Sequence, residues 1–149
     1  MATIIILSIV GAVLAAVIGT LWYSGATPMG KIHMKSLGFD ALSPEEQQQK
    51  IAEAKPQMPK VYAAQFGLSF LTAFAVVFMV QMSLANGLSV PMAVAFPIFN
   101  WLCFMVPVTG SALLWSNVDR SIVWKKFFSD TLSNLVTILV IAFLAVLFA

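Results

Sequence analysis

The sequence predicts an all-α integral membrane protein, a four-helix bundle with a helical loop between spans one and two. Three observations indicate this fold. Of the 149 residues, 60% are hydrophobic and only 9% are charged, against about a quarter charged in an average soluble domain. Four segments reach the roughly 20 mostly apolar residues that a helix needs to cross the hydrocarbon core. The Lys and Arg residues gather in two polar loops between those segments.

These segments define one transmembrane domain over residues 1–149. An even number of crossings places both polar loops on one side of the membrane and both termini on the other. The predicted spans cover about 3–23, 61–84, 91–115 and 129–148, and the loops between them on that one side cover 24–60 and 116–128.

The distribution of charge predicts the orientation. All 8 Lys and Arg residues lie in the two loops, and an excess of basic residues marks the cytoplasmic side of a membrane protein. We therefore expect both loops in the cytoplasm and both termini on the outer side of a bacterial inner membrane. Aromatic and basic side chains beside the loops are predicted interfacial anchors: Trp22, Tyr23, Lys31, Lys35, Trp115, Trp124 and Lys125.

Span one carries a candidate helix-packing face. No Lys or Arg precedes its apolar run, which is also longer than the 7 to 15 residues of a signal-peptide core, so we interpret the run as a span. Gly11, Ala15 and Gly19 are four residues apart and share one side of the helix. Small residues allow close backbone approach in lipid. They predict a contact inside the bundle or between copies.

The first loop contains two helix-start signals. Thr27 and Pro28 are typical of the first residues of a short helix. Ser43, Pro44 and Glu46 form a capping-box pattern that predicts a polar helix ending at about Ala54. This helix is interpreted as a solvated hairpin, with a docking surface as the alternative.

Span three is predicted to be bent. It follows a tight turn at Asn86, which makes spans two and three an antiparallel hairpin. Pro97 and Pro107 lie inside the span, and each removes one backbone hydrogen bond. Asn100 and Trp101 lie between the prolines, near the middle of the membrane.

Polar side chains within the spans form a candidate polar seam. Buried polar groups are costly in lipid unless they are paired, so these residues are expected to face into the bundle. They would line a pocket open to the cytoplasm, or form interhelical hydrogen bonds worth about 0.6 kcal/mol each. The seam comprises Gln65, Ser69, Thr72, Asn100, Thr109, Asn117, Asp130, Asn134 and Thr137.

The sequence offers little for catalysis, and we expect neither enzymatic activity nor a cofactor. His33 is the one histidine and Cys103 the one cysteine, so metal-ligand spacings and a nucleophilic triad are absent. No phosphate-binding glycine loop is present. No acidic or basic residue lies deep in a span, as an ion-coupled pump would need. The small net charge of +2 gives no reason to expect nucleic acid as a partner.

Two stretches of the chain carry a distinctive order of residues. The first stretch comprises Gly19, Leu21 to Ser24, Gly30-Lys31, Met34-Lys35 and Leu37-Gly38. The second comprises Trp124-Lys125, Phe127-Phe128 and Asp130. With these residues the chain resembles small bacterial membrane proteins of the domain of unknown function 1761 family. The resemblance implies a four-span fold and no particular activity.

Three function classes remain open from the sequence. The favoured one is a structural or accessory subunit that acts by helix packing within a homo-oligomer or a larger membrane complex, with membrane lipids around it. The alternative is a carrier or channel for a small neutral or lipidic molecule, with its site near Asn100. The third is a lipid-modifying enzyme that would use Asp130 and His33, which requires a fold that brings these two residues together.

Overall fold

The computed structural model describes residues 1–149, and the chain is helical with no β-strand. This confirms the predicted fold class. Four of its helical segments are long and apolar enough to cross a membrane, which makes the chain a multi-pass membrane protein. The helices are α1 (Ala2–Trp22), α2 (Pro28–Ser36), α3 (Pro44–Ala54), α4 (Met58–Ala85), α5 (Val90–Asn100), α6 (Val106–Leu114) and α7 (Arg120–Leu147).

The bundle has two chemically different ends. The loop end carries the connections 23–57 and 115–119 and, with them, helices α2 and α3. The terminal end carries Met1, Ala149 and the short turn between α4 and α5. The loop end therefore holds the predicted polar loops together, as an even number of spans requires.

Local capping explains the two short helices of the first loop. The Thr27 Oγ1 accepts a hydrogen bond from the Gly30 backbone N–H at 2.9 Å, which fixes the start of α2. At the start of α3, the Glu46 N–H donates to Ser43 Oγ at 3.3 Å, and the Ser43 N–H donates to Glu46 Oε2 at 2.7 Å. Both predicted helix starts, including the capping box, are confirmed.

The third span is interrupted where the sequence predicts a bend. A π-helical segment, Trp101–Met105, joins α5 to α6. It lies between Pro97, inside α5, and Pro107, in the first turn of α6. Proline lacks the N–H that closes an α-helical turn, and a π turn changes the local hydrogen-bond partners without ending the helix. The interruption is therefore a consequence of the two prolines.

The core lies where α1, α4 and α7 pack together, with α5 added on one side. Apart from Leu7, its buried residues are alanine, valine or isoleucine, and the alanines let the helix backbones approach closely. They are Ile4, Leu7, Ala73, Val76, Val77, Val80, Ala93, Ile138, Ile141, Ala142 and Ala145.

The predicted small-residue face of α1 contributes to this core at one position. A Cβ atom added to Gly11 would lie 3.0 Å from Ala73 Cβ and 3.3 Å from Ile141 Cγ1. Gly11 therefore sets the close approach of α1 to α4 and α7. Ala15 and Gly19 are only half-buried, and a Cβ on Gly19 would meet nothing within 4 Å.

Helix α7 begins before the predicted start of span four, residue 129. Asp119 caps the helix, with its Oδ1 accepting a hydrogen bond from the Ser121 N–H at 2.8 Å. Residues 120–128 are therefore helical rather than part of a long connection. This extension gives α7 an additional surface at the loop end, against which α2 and α6 pack.

Candidate functional site

A cluster of polar side chains forms at the loop end, where the end of α1, helix α2 and helix α7 meet. We call it the loop-end cluster. Two of its hydrogen bonds each join residues 107 positions apart in the chain. Its members are Trp22, Tyr23, His33, Lys126, Ser129 and Asp130.

Asp130 is the centre of the loop-end cluster. Its carboxylate accepts hydrogen bonds from Lys126 Nζ at 2.6 Å and 2.5 Å, one turn earlier on α7. Its Oδ1 also accepts a hydrogen bond from the Tyr23 hydroxyl at 2.9 Å. The Lys126 and Asp130 side chains are only 12% and 18% exposed. The charges of this pair therefore stabilise each other in a largely dehydrated position.

Trp22 adds a second link between α1 and α7. Its Nε1 donates a hydrogen bond to Ser129 Oγ at 3.2 Å, and Ser129 is 1% exposed. An indole that is half-buried at the end of a span finds its partner here in the protein rather than in the lipid headgroups. Trp22 and Tyr23 thus connect two spans in addition to lying at the predicted interface.

Helix α2 closes over the cluster because the chain turns tightly after Tyr23. The Thr27 hydroxyl bonds to the carbonyl oxygens of Trp22 at 2.7 Å and Ser24 at 2.9 Å. A Cβ on Gly30 would collide with the Ser24 carbonyl, so only glycine permits this turn. As a result, α2 folds back onto the first turns of α7.

This turn places His33 against Tyr23. The two ring centroids are 4.9 Å apart with a 48° tilt, and His33 Nδ1 is buried without a hydrogen-bond partner. Burial is the main cause that lowers the pKa of His33, the Lys126 ammonium lowers it further, and Asp130 opposes them. His33 is therefore held in its neutral form beside a lysine.

The structure does bring His33 and Asp130 into one cluster, as a lipid-modifying enzyme would need. However, Asp130 is already bound by Lys126 and Tyr23. The cluster contains no cysteine, and its serine hydroxyl accepts the Trp22 N–H. No group of three or more His, Cys, Asp or Glu side chains is placed to hold a metal ion. The side chains of the loop-end cluster therefore hydrogen-bond to one another and hold the end of α1 against α7.

The predicted polar seam is not assembled into one pocket. Gln65, Asn100 and Asn117 are exposed on the outside of the chain. The Thr72 and Thr137 hydroxyls bond within their own helices, to the carbonyls of Leu68 and Ser133. Of the residues predicted for the polar seam, only Asp130 belongs to the loop-end cluster. The half-buried members of the predicted seam are Ser69, Thr72, Thr109, Asp130, Asn134 and Thr137.

The other five predicted anchors lie on the surface of the loop end. The indole of Trp115 is 90% exposed and that of Trp124 is 61% exposed. Lys31, Lys35 and Lys125 are also exposed. These positions suit contact with lipid headgroups and water.

Sequence reasoning missed the role of Lys126. Its spacing of four residues from Asp130 is the spacing of a helical ion pair, so the signal was present in the sequence. It also missed Trp101, whose Nε1 donates to the Thr131 carbonyl at 3.1 Å and joins the π-helical segment to α7. No sequence pattern links Trp101 to a carbonyl 30 residues away.

Two of the clefts that flank the bundle are lined mainly by apolar side chains. One, of about 570 Å³, lies at the terminal end beside Ile4, Gln81 and Val146. The other, of about 370 Å³, lies between α6 and α7 beside Gly110 and Phe127. Asn100 lines neither of them, so the third-span amide is separate from both clefts.

The fold and the loop-end cluster define a small helical multi-pass membrane protein whose first and last spans are joined at the loop end. The chain belongs to the family described as protein of unknown function (DUF1761), whose family model matches residues 6–146. This confirms the resemblance, and both stretches that carry it contribute to the loop-end cluster. No curated protein and no solved structure matches the chain.

Proposed function

We propose that this protein is a structural or accessory membrane protein that acts by helix packing, and that it assembles with a second copy through its third span. The observation that carries the proposal is the position of Asn100. Its side chain is exposed near the middle of the third span, at the start of the π-helical segment. The Asn100 side chain makes no hydrogen bond, unlike that of its neighbour Trp101, whose Nε1 donates to the Thr131 carbonyl.

An exposed amide at this depth is unfavourable in a lone chain. Lipid tails offer no hydrogen-bond partner, so the amide remains unpaired unless another protein surface covers it. An asparagine side chain is both donor and acceptor. Two copies related by a two-fold axis can therefore satisfy each other's Asn100, as an isologous interface requires.

The surroundings of Asn100 are suited to helix contact. Phe96 and Phe104, each one turn away, are 47% and 64% exposed. Cys103 is also exposed and lies three residues after Asn100. The surface formed by Phe96, Asn100, Cys103 and Phe104 is called the Asn100 face. Flanking aromatic side chains would exclude lipid from a central pair of amides.

The orientation proposed for this assembly follows the charges. All 8 Lys and Arg residues belong to the loop end, which supports a cytoplasmic loop end and outward termini in a bacterial inner membrane. A catalytic role has less support, because the polar side chains of the loop-end cluster bind one another.

A carrier or channel near Asn100 also has less support. Its amide faces outward, and the centre of the bundle is packed with buried apolar side chains.

Oxidative cross-linking in native membranes tests the proposal. Cys103 is the one cysteine in the chain, and a disulfide forms only when two Cα atoms come within about 7 Å. We expect a disulfide-linked dimer from the natural chain. We expect Asn100→Leu to reduce its yield several-fold and Asn100→Gln to retain it. The matched control moves the cysteine to α4, as Cys103→Ser with Leu71→Cys, and is expected to stay monomeric.

The proposal would be overturned if Asn100→Leu left the yield of cross-linked dimer unchanged. It would also be overturned if the cysteine of the Leu71→Cys control cross-linked as efficiently as Cys103. A Cys103 adduct to a different membrane protein, with no dimer, would replace the second copy by a larger complex.

A further inference from the structure

Helix α2 has the position of a lid over the loop-end cluster. It packs against α7 and against the short 3₁₀ turn Phe39–Ala41 that follows it. The next helix, α3, has no buried residue, so it adds little to hold α2 in place. A helix of nine residues is only marginally stable in water by itself. Helix α2 therefore depends on its contact with the loop-end cluster.

The two ends of α2 are held differently. Its start is fixed by the Thr27 cap and by the close approach of Gly30 to the Ser24 carbonyl. Near its end, Lys35 and Asp40 form an ion pair at 4.0 Å that is about half exposed, and exposed pairs contribute little to stability. His33 lies in this weakly held second half, in the last turn of the helix.

The contact of His33 with the cluster suits only the neutral imidazole. Its Nδ1 is buried without a hydrogen-bond partner, whereas both ring nitrogens of a protonated histidine are donors. The carboxylate that acts on His33, that of Asp130, already accepts hydrogen bonds from Tyr23 and Lys126. A proton on His33 would therefore place a poorly paired charge in a buried position, which is costly.

A cation already lies next to this contact. Lys126 Nζ is 5.3 Å from the centre of the Tyr23 ring, and the His33 ring packs on the same ring at 4.9 Å. The 3₁₀ turn supplies only the Asp40 carboxylate, which pairs with Lys35. The charged and titratable groups that surround α2 are thus Tyr23, Lys126, Asp130 and Asp40, with Lys31 and Lys35 exposed on α2 itself.

The helix dipole of α2 acts in the opposite direction. A cation in the last turn of a helix is stabilised by the unpaired carbonyl groups there, and His33 occupies that turn. This stabilisation moves with α2 if the helix leaves α7, whereas the repulsion from Lys126 and the loss of hydration do not. The protonated form of His33 is therefore more stable on an open α2 than on a closed one.

We propose that α2 is a pH-sensitive lid, whose second half leaves α7 when His33 binds a proton while the bundle remains folded. Opening uncovers the Tyr23 ring and the Lys126–Asp130 pair, whose side chains are 12% and 18% exposed when the lid is closed. The hydrogen bond from Trp22 to Ser129 does not involve α2, so the junction between α1 and α7 persists.

The direction of the pH dependence follows from the two states of the lid. An exposed histidine has a pKa near 6.5, and burial in the closed lid lowers the pKa of His33 below that value. The lid is therefore closed at pH 7.5. The ratio of open to closed chains rises as pH falls below 6.5, by about tenfold per pH unit until the pKa of the closed state is reached.

Hydrogen–deuterium exchange of the full chain in micelles, read by mass spectrometry, measures the opening. The natural chain and His33→Gln are compared at the same pH, so the chemical exchange rate cancels. Between pH 7.5 and 5.5 we expect the ratio of their rates in residues 33–36 to rise by up to about tenfold. Residues 138–145 of α7 should show no such rise. His33→Phe keeps a ring against Tyr23 without a titratable group and should behave as His33→Gln does.

Gly30→Ala provides a lid that is open at both pH values. Its Cβ would collide with the Ser24 carbonyl, so we expect fast exchange of α2 at pH 7.5 and no further rise at pH 5.5. A rise of less than twofold in the natural chain would overturn the proposal. So would an equal rise in residues 138–145, which would indicate unfolding of the whole bundle, or a rise that His33→Phe retains, which would assign the opening to another group.

Discussion

Helix α7 and the third span are similarly suited to lipid, yet the bundle uses them differently. Their most apolar stretches have mean hydropathies of 2.1 and 1.7, but 33% of the α7 stretch is buried against 11% of that in the third span. Helix α7 packs against α1, α2, α4, α5 and α6. The third span presents large side chains such as Phe99 and Phe104 to the outside.

This difference shows that hydropathy identifies a span without identifying its neighbours. Lipid tails are as apolar as leucine, so moving an apolar side chain from lipid to a contact with another helix contributes no hydrophobic free energy. Packing and hydrogen bonds therefore decide which helices associate. Helix α7 buries small and polar residues such as Ser129, Ser133 and Ala142. The third span leaves Asn100 outside. We therefore expect substitutions around α7 to affect folding and those on the Asn100 face to affect assembly.

The largest expected change in stability follows from removal of the Asp130 carboxylate. Asp130→Leu leaves Lys126 unpaired in a largely dehydrated position, and we expect destabilisation of about 3 kcal/mol. Chemical unfolding in micelles, followed by circular dichroism, measures it. Lys126→Met with Asp130→Leu should recover most of the loss.

An exposed pair provides the control for Asp130. Lys35 and Asp40 lie 4.0 Å apart and are about half exposed, so Asp40→Asn should change stability by less than about 1 kcal/mol. Equal effects of Asp130→Leu and Asp40→Asn would show that the loop-end cluster does not hold the bundle together.

The second-largest expected change in stability distinguishes a glycine of the packed core from a glycine of the third span. Gly11→Leu adds a side chain against Ala73 and Ile141 in the packed core, and overpacking of this kind costs about 1 to 3 kcal/mol. Gly110→Leu on the third span should cost less, because the Cβ there would lie 3.2 Å from the edge of the Phe127 ring, and that ring borders an open cleft into which it can shift. Thermal unfolding of the two variants measures the contrast.

Gly19→Leu refines this comparison within α1. Since a Cβ there meets nothing within 4 Å, the variant should fold like the natural chain. If Gly19→Leu changes the oligomeric state, α1 as well as the third span contributes to assembly. If Gly11→Leu is as stable as Gly19→Leu, the contact of α1 with the core is looser than a 3.0 Å approach to Ala73 allows.

The smallest expected effect is a dependence of stability on pH that arises from protonation of His33. Burial lowers the pKa of His33 below 6.5, so the folded chain binds fewer protons at this group than the unfolded chain. Its contribution to stability is complete above pH 6.5 and is lost as pH falls through the lower folded pKa. Protonation would add a cation beside Lys126, which Asp130 only partly offsets, at the contact between α2 and Tyr23.

Melting temperatures between pH 7.5 and 5 measure this dependence. We expect a decrease towards pH 5 in the natural chain and a flatter profile in His33→Gln. Glu46 and Asp119 have lowered pKa values, so they remain ionised throughout this interval. An unchanged slope in His33→Gln would assign the pH dependence to another group.

Much of this architecture follows from local sequence. The four apolar lengths, the turn at Asn86, the caps at Thr27 and Ser43 and the interruption between the prolines each depend on a few neighbouring residues. A helix in lipid must satisfy its own backbone hydrogen bonds, so length and composition are sufficient to define a span.

Only the tertiary structure decided which faces meet. Trp22 reaches Ser129 and Tyr23 reaches Asp130 across 107 residues, whereas Gln65 and Asn100 point outward and the predicted seam does not form. The spans are apolar on all sides, so their sequence does not define how each helix is rotated about its axis. That rotation depends on the close approach at Gly11 and on hydrogen bonds that exist only once the helices have packed.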